Sequence, residues 1–218
     1  MTAKIVTVFN QKGGAGKTTV SLCLAGALGH RGHKVALVDL DGQGTAALSV
    51  GAATESNPFP ATVFPLAVHP HPDREIRKFV DDYDFIVIDC PPAIQSAAPS
   101  VALLVSDLGL IPVVGSAGNF WAVKEAKNLA RRAQVQNATL QVRTIANQTK
   151  NRTISKNVFE ALGQDEEFPL CASSLGDRAA YPEAEATGMP VVAMSSSARE
   201  AKKEVNALVD EVLEIIGA

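Results

Sequence analysis

The stretch that most constrains this chain is residues 4 to 22. There a strand-like apolar run (Ile5, Val6, Val8, Phe9) gives way to Asn10, Gln11, Lys12, Gly13, Gly14, Ala15, Gly16, Lys17, Thr18 and Thr19. Glycines at 13, 14 and 16 free the backbone to adopt angles that other residues avoid, turning its N–H groups inward around an anion. The Leu- and Ala-rich residues after Lys17 read as a helix whose N-terminal dipole adds to the same site. In such a cradle Lys17 neutralises the β- and γ-phosphates, and the Thr18 hydroxyl is placed to ligate Mg²⁺. The loop from Lys12 to Thr19 is therefore the expected nucleotide-binding segment.

Strand-like and helix-like segments alternate through the rest of the chain. Strands are expected at Val35–Val38, Thr62–Val68, Phe85–Ile88, Leu108–Val114, Leu140–Ala146 and, briefly, Pro169–Cys171. Helices are expected at Lys17–Gly29, from Thr45, at Asp73–Val80, Gln95–Leu104, Phe120–Gln134, Ile154–Leu162, Tyr181–Thr187 and Ala198–Ile216. The run FIVI at Phe85–Ile88, β-branched and bounded by Asp84 and Asp89, has the pattern of a strand buried on both faces. This order predicts an α/β fold, a mostly parallel twisted sheet with helices on both faces, and with the cradle following the first strand it is of the P-loop NTPase kind. A length of 218 residues suits one such domain, spanning 1–218.

Ligands of parallel sheets bind beyond the carboxyl ends of the strands, where Asp39, Asp41 and Asp89 all sit. Asp89 fits a Walker B acid that holds Mg²⁺ through a water. Asn147, at the expected end of its strand, either reads the adenine edge or is a plain turn asparagine.

The usual pattern G-x-x-x-x-G-K-[ST] fails at one position: Gln11 replaces the first glycine, and a second lysine, Lys12, follows. The block KGGAGKTT resembles the deviant P-loop of the ParA/MinD family of ATPases. VDLDGQ (Val38 to Gln43) resembles that family's switch I, VSDLGLIPV (Val105 to Val113) its fifth-strand region, and DRAAYPEAEATGMPV (Asp177 to Val191) its nucleotide-side loop and helix. The likeness covers nearly the whole chain and is nearest to the small, ParF-like ParA type. Two departures are Gly42, where many relatives carry proline, and GSAGN (Gly115 to Asn119), where relatives carry several prolines. The resemblance implies ATP and Mg²⁺ as cofactors and a homodimer formed with ATP, in which Lys12 reaches the partner's nucleotide. It also implies that Asp41 orients the attacking water, Asp39 supports the metal shell, and an adaptor protein of ParB-like or similar small type stimulates hydrolysis. Plasmid or chromosome partition is the leading cargo. Positioning of a protein assembly, such as a microcompartment or chemoreceptor cluster, rests on the same chemistry.

The net charge of −3 argues against a surface coated with nucleic acid, but its distribution is uneven. Lys124 to Lys156 holds eight basic residues and one acid, leaving 12 basic against 22 acidic residues elsewhere. Lys150, Arg152 and Lys156, joined by Arg199, Lys202 and Lys203, are the candidate contacts to DNA phosphates. With no helix-turn-helix or aromatic interleaving, such binding is expected to be non-specific and salt-sensitive. Cys23, Cys90 and Cys171 form no C-x-x-C pair, which disfavours a metallochaperone or iron–sulfur carrier. A non-catalytic nucleotide-switched module remains the third class. His69 and His71 lie among prolines as a solvated loop, and Trp121 reads as a packing residue. Cys90 has no adjacent base to activate it. No signal peptide or membrane-length apolar run is evident, and the apolar stripe of the last helix lacks flanking cations, so no membrane contact is expected. The expected location is the cytoplasm, on the nucleoid when ATP is bound.

Overall fold

Apolar residues at successive strand positions point to opposite faces of a sheet, so a strand apolar throughout needs cover on both sides. The computed structural model, which describes residues 2–92, 96–115, 120–150 and 153–218, meets that need with seven strands in one parallel sheet. These are β1 (Lys4–Val8), β2 (Val35–Asp39), β3 (Thr62–Pro65), β4 (Phe85–Asp89), β5 (Leu108–Val114), β6 (Gln141–Thr149) and β7 (Leu170–Gly176). Their spatial order is β3-β2-β4-β1-β5-β6-β7. Along β4, Phe85 and Val87 join one core while Ile86 and Ile88 join the other. Ile5 and Val6 of β1 are divided in the same way.

The helices are α1 (Lys17–His30), α2 (Thr45–Gly51), α3 (Pro72–Phe79), α4 (Ala98–Leu103), α5 (Phe120–Gln136), α6 (Thr153–Gly163), α7 (Ala180–Thr187) and α8 (Arg199–Ile216). The first core gathers α1, α7 and α8; the second gathers α3, α4 and α5. Val20, Leu22, Cys23, Leu24, Ala25, Ala27 and Leu28 of α1 are all buried. A helix apolar all round is an interior helix, and α1 has the sheet on one side and α8 on another. The chain moves from β1 outward on one side through β2 and β3, returns to β4, and crosses β1 to β5. The loop after β1 thus leaves the sheet where its winding reverses, the place at which open α/β sheets take ligands.

Several boundaries move from their expected places. The short strand expected at Pro169–Cys171 is the longer β7, because β6 offers it a partner over its length, with register shifts between Thr144 and Thr149. β6 itself continues past Ala146 to Thr149, so Asn147 lies within the strand rather than ending it. β3 stops at Pro65: the Leu66 N–H still reaches the Asp39 carbonyl (2.9 Å), and Leu66 then accepts the His69 N–H (3.0 Å) in a turn that leads the chain away. The helix expected from Gln95 is described from Ala98, and residues 93–95 lie outside the described residues. No helix among the described residues is long and apolar enough to cross a membrane.

The polar side of α8 also carries structural contacts. Glu211 accepts the backbone N–H groups of Ala172 (2.7 Å) and Ser173 (2.8 Å), capping the free edge of β7. Hydrogen bonds to a charged acceptor contribute about 1.5–3 kcal/mol each, less where water can substitute. Glu211→Ala is expected to lower the unfolding free energy by about 1–2 kcal/mol, a loss that urea denaturation would register as a lower midpoint at unchanged slope.

Candidate phosphate-binding site

Gly14 and Gly16 have φ of 74° and 83°, the left-handed conformation that β-carbons resist, and Gly16 caps α1. A Cβ at Gly16 would lie 1.9 Å from the Asn147 amide nitrogen, so this position excludes any other residue as the loop stands. The loop is held from behind. Asn10 donates to the Pro112 carbonyl (2.8 Å) and accepts from the Lys12 N–H (3.2 Å), tying the entry of the cradle to β5. Asn147 donates to the Ala15 carbonyl (2.9 Å).

Lys17 is buried, and its ammonium donates to the Lys12 carbonyl across the loop (3.3 Å). Burial holds it below its ordinary pKa, while Asp89, Asp41 and Cys90 pull it back up. Thr18 donates to Asp89 (2.8 Å), and the Ser21 hydroxyl lies 3.0 Å from the other Asp89 oxygen. Asp89 is fully buried, and burial pushes its carboxyl up to about 7 against the two hydroxyls and Lys17. Asp39 pairs in register with Asp89 on the neighbouring strand. Both Asp39 oxygens are engaged, one by the Asp41 N–H (2.9 Å) and one by the Ala47 N–H in the first turn of α2 (2.9 Å). Burial raises Asp39 above the usual carboxylate range. Asp41 is half-buried, and accepts the Gln43 N–H (2.9 Å). Asp39 therefore braces the segment after β2 and the start of α2, whereas Asp41 is half-buried and holds the Gln43 N–H.

The sequence-predicted residues Lys12, Gly13, Gly14, Ala15, Gly16, Lys17, Thr18, Asp39, Asp41 and Asp89 thus meet at the carboxyl edge of the central strands. Thr19 faces the other way, its hydroxyl donating to Glu185 of α7. Beside it lies a cavity of about 290 Å³ bordered by Thr19, Asn147, Gln148, Tyr181, Pro182 and Glu185. Its size is near the lower end for ligand pockets, roughly 300 Å³. Asn147 edges this cavity, but it is buried with its amide on Ala15, so in this state it is a brace of the cradle. Gln148 has φ of 50°, rare for a residue with a side chain. Sequence reasoning missed Ser21, Glu185 and Gln148. Only Ser21 had a local signal, since four residues beyond Lys17 share its helix face.

The basic candidates are less uniform than their spacing suggests. Lys150 is paired with Asp177 (2.7 Å) and Lys203 with Glu200 (3.0 Å), while Arg199 is exposed and Lys202 half-buried. Within the same basic stretch, Lys127 pairs with Asp165 and Arg131 with Glu167 (2.6 Å). The expected positive face between 124 and 156 is thus partly neutralised by acids distant in sequence. Arg152 and the Lys156 side chain lie outside the described residues, as do residues 116–119 of the GSAGN loop and the Trp121 side chain. All three cysteines are buried, and burial keeps the Cys90 thiol well above its usual pKa, which suits an unreactive group. His69 is paired with Glu75 (3.2 Å), and no metal-binding cluster occurs among the described residues.

A family model described as the CobQ/CobB/MinD/ParA nucleotide binding domain matches residues 6–191. Among curated proteins, "Maintenance of carboxysome distribution protein A" of Halothiobacillus neapolitanus is 29% identical over 208 residues, 95% of each chain. Among solved structures, the ATP complex of a Cyanothece McdA variant superposes with a TM-score of 0.80 at 15% identity, over 99% of this chain and 97% of that one. Cobyrinic acid a,c-diamide synthase of Mycobacterium smegmatis, with bound ATP analogue and magnesium, gives 0.75 at 20% identity, over 96% and 95%. At such identities the two structures speak for the shared fold.

The Asp89 carboxyl has a folded pKa of about 7, above the ordinary value of 3.8. Its effect on stability is therefore absent below about 4, grows unfavourable as pH rises, and levels off above about 7. Asp89→Asn should accordingly gain thermal stability over the parent between pH 5 and 8 in nucleotide-free protein, the gain widening with pH. Calorimetry at several pH values checks this; a constant difference would mean the carboxylate is not the group responsible.

Proposed function

The chain belongs to the CobQ/CobB/MinD/ParA nucleotide-binding family, and on that premise we propose that it is an ATP-hydrolysing switch that positions a cargo. The carrying observation is the convergence of Lys17, Thr18, Asp89 and Asp41 on a loop with a second lysine, Lys12. The residues fit magnesium-bound ATP. The cradle is left-handed at two glycines, Lys17 lies across it, and Thr18 and Asp89 supply the hard oxygens that Mg²⁺ prefers. When bound, Mg²⁺ would neutralise phosphate oxygens.

Phosphoryl transfer asks the protein mainly for positioning and charge. Lys17 fixes the triphosphate within its own subunit, and Asp41 orients the attacking water. Lys12 makes no hydrogen bond or ion pair through its ammonium among the described residues, which suits a group meant for a second subunit. Crossing the interface of an ATP-bound homodimer, it would act as a finger on the partner's triphosphate; comparable fingers contribute about 10³–10⁵ in kcat. Basal turnover is then slow until dimerisation and adaptor contact.

DNA is the proposed matrix, held only by the dimer. Lys150 and the first turns of α8 converge on one loop, since Asp177 pairs with Lys150 while its neighbour Arg178 pairs with Glu204 of α8 (2.6 Å). The Lys150–Asp177 pair is half-exposed, and such pairs contribute only about 0–1 kcal/mol, so phosphates can compete for the lysine. Partition of a plasmid or chromosome is one cargo reading. Positioning of a protein assembly is the second, favoured by the likeness to the carboxysome distribution protein along nearly the whole chain.

The test is co-sedimentation with DNA in ATP, ADP and no nucleotide. Lys12→Ala and Lys17→Ala are expected to lose ATP-dependent retention, and Asp41→Ala to stay bound because it cannot hydrolyse. Equal retention in ADP and ATP contradicts the switch, and absence of phosphate release with DNA and adaptor present contradicts the enzyme.

A further inference from the structure

The wall of the cavity beside Thr19 is held from behind by one carboxylate on another element. Glu204 of α8 accepts from Arg178 Nε (2.9 Å) and Nη2 (2.6 Å), from the Tyr181 hydroxyl (2.6 Å) and from the Gly176 N–H (3.1 Å). Gly176, Arg178 and Tyr181 all border the cavity; Glu204 does not. Four donated hydrogen bonds on one half-buried carboxylate are the full complement of its lone pairs. Burial works against its ionisation, yet Arg178, Tyr181 and Gly176 outweigh that and hold it below the usual range. The fit is close: a Cβ at Gly176 would lie 3.1 Å from both the Glu204 oxygen and the Arg178 Nε.

We infer that Glu204 is a positioning residue for the nucleoside half of the ligand, fixing the segment from Gly176 to Tyr181 so that the cavity beside the phosphate cradle keeps a shape fit for a base and sugar. The inference rests on the nucleotide reading above. It follows from where the clamp acts. The phosphate cradle is braced by Asn10, Asn147 and Asp89, none of which touches Glu204. The far wall of the cavity relies on Glu204 for three of its residues. Removing the clamp loosens the short connection between the end of β7 and the start of α7, and the entropy of reordering it then counts against binding. That cost falls only on ligands that use the wall. A triphosphate without a nucleoside does not.

Glu204→Gln keeps the size of the side chain but turns an amide N–H₂ toward donors, so it breaks the clamp without opening a cavity. Gly176→Ala wedges the same contact apart from the other side. Titration calorimetry of the full chain with Mg·ATP and with Mg·tripolyphosphate separates the two halves of the site. For both variants the affinity for ATP is expected to fall about tenfold, with that for tripolyphosphate unchanged within about twofold and the melting temperature of the nucleotide-free chain lowered only slightly. Equal losses for both ligands would show a general structural role and overturn the inference, as would unchanged ATP affinity in both variants. Should the parent chain bind tripolyphosphate as tightly as ATP, the cavity is not a nucleoside site and the inference falls alone. Should it bind neither, the nucleotide reading falls with it.

Discussion

Asp89 and Lys17 are two charges that the fold has taken out of water beside the same glycine-rich loop. Neither is paired with the other by a hydrogen bond: Lys17 reaches the Lys12 carbonyl, and Asp89 takes two neutral hydroxyls. Buried charges without a full counter-charge are costly, and both respond by leaning toward their neutral forms. A polyanion and a divalent cation bound at the loop would give each a fuller counter-charge. The core around α1 and the central strands must supply the stability that this site withholds, which accounts for a helix buried almost all round behind the loop.

The remaining polar residues near the site fall into two sets with different tasks. Asn10, Asn147 and Asp39 use their hydrogen bonds on backbone groups, fixing the cradle and the start of α2. Asp41 and Lys12 are only half-buried, Asp41 holding the Gln43 N–H and Lys12 making no hydrogen bond or ion pair through its ammonium among the described residues. This division leaves the cradle braced from behind and two charged side chains half-buried beside it. Glu204 extends the same logic to the opposite wall, where a carboxylate from the last helix replaces local loop chemistry.

Pairing also reshapes the reading of surface charge. Counted along the sequence, residues 124 to 156 are a block of cations. Folded, Lys127 and Arg131 of α5 meet Asp165 and Glu167 from the segment before β7. Lys150 likewise meets Asp177, in the loop that Arg178 ties to α8 beside the cavity at Thr19.

The local chemistry was legible in the sequence because the cradle, the helix after it and the acids at strand ends depend on neighbours within a few positions. Three glycines, a lysine and a threonine at fixed spacing impose their geometry wherever the strand before them lies, and an apolar β-branched run such as Phe85–Ile88 admits only a doubly covered strand. The roles of Asn147, Glu185 and Glu204 had no such signal. Asn147 braces Ala15 from 132 residues away, Glu185 accepts from Thr19 across 166, and Glu204 gathers donors 23 to 28 residues back on a different element. A single asparagine or glutamate has the same local pattern whether it is solvated or clamped. Only the packing of the sheet and its helices brings such groups within hydrogen-bond reach, so tertiary structure alone decided what they hold.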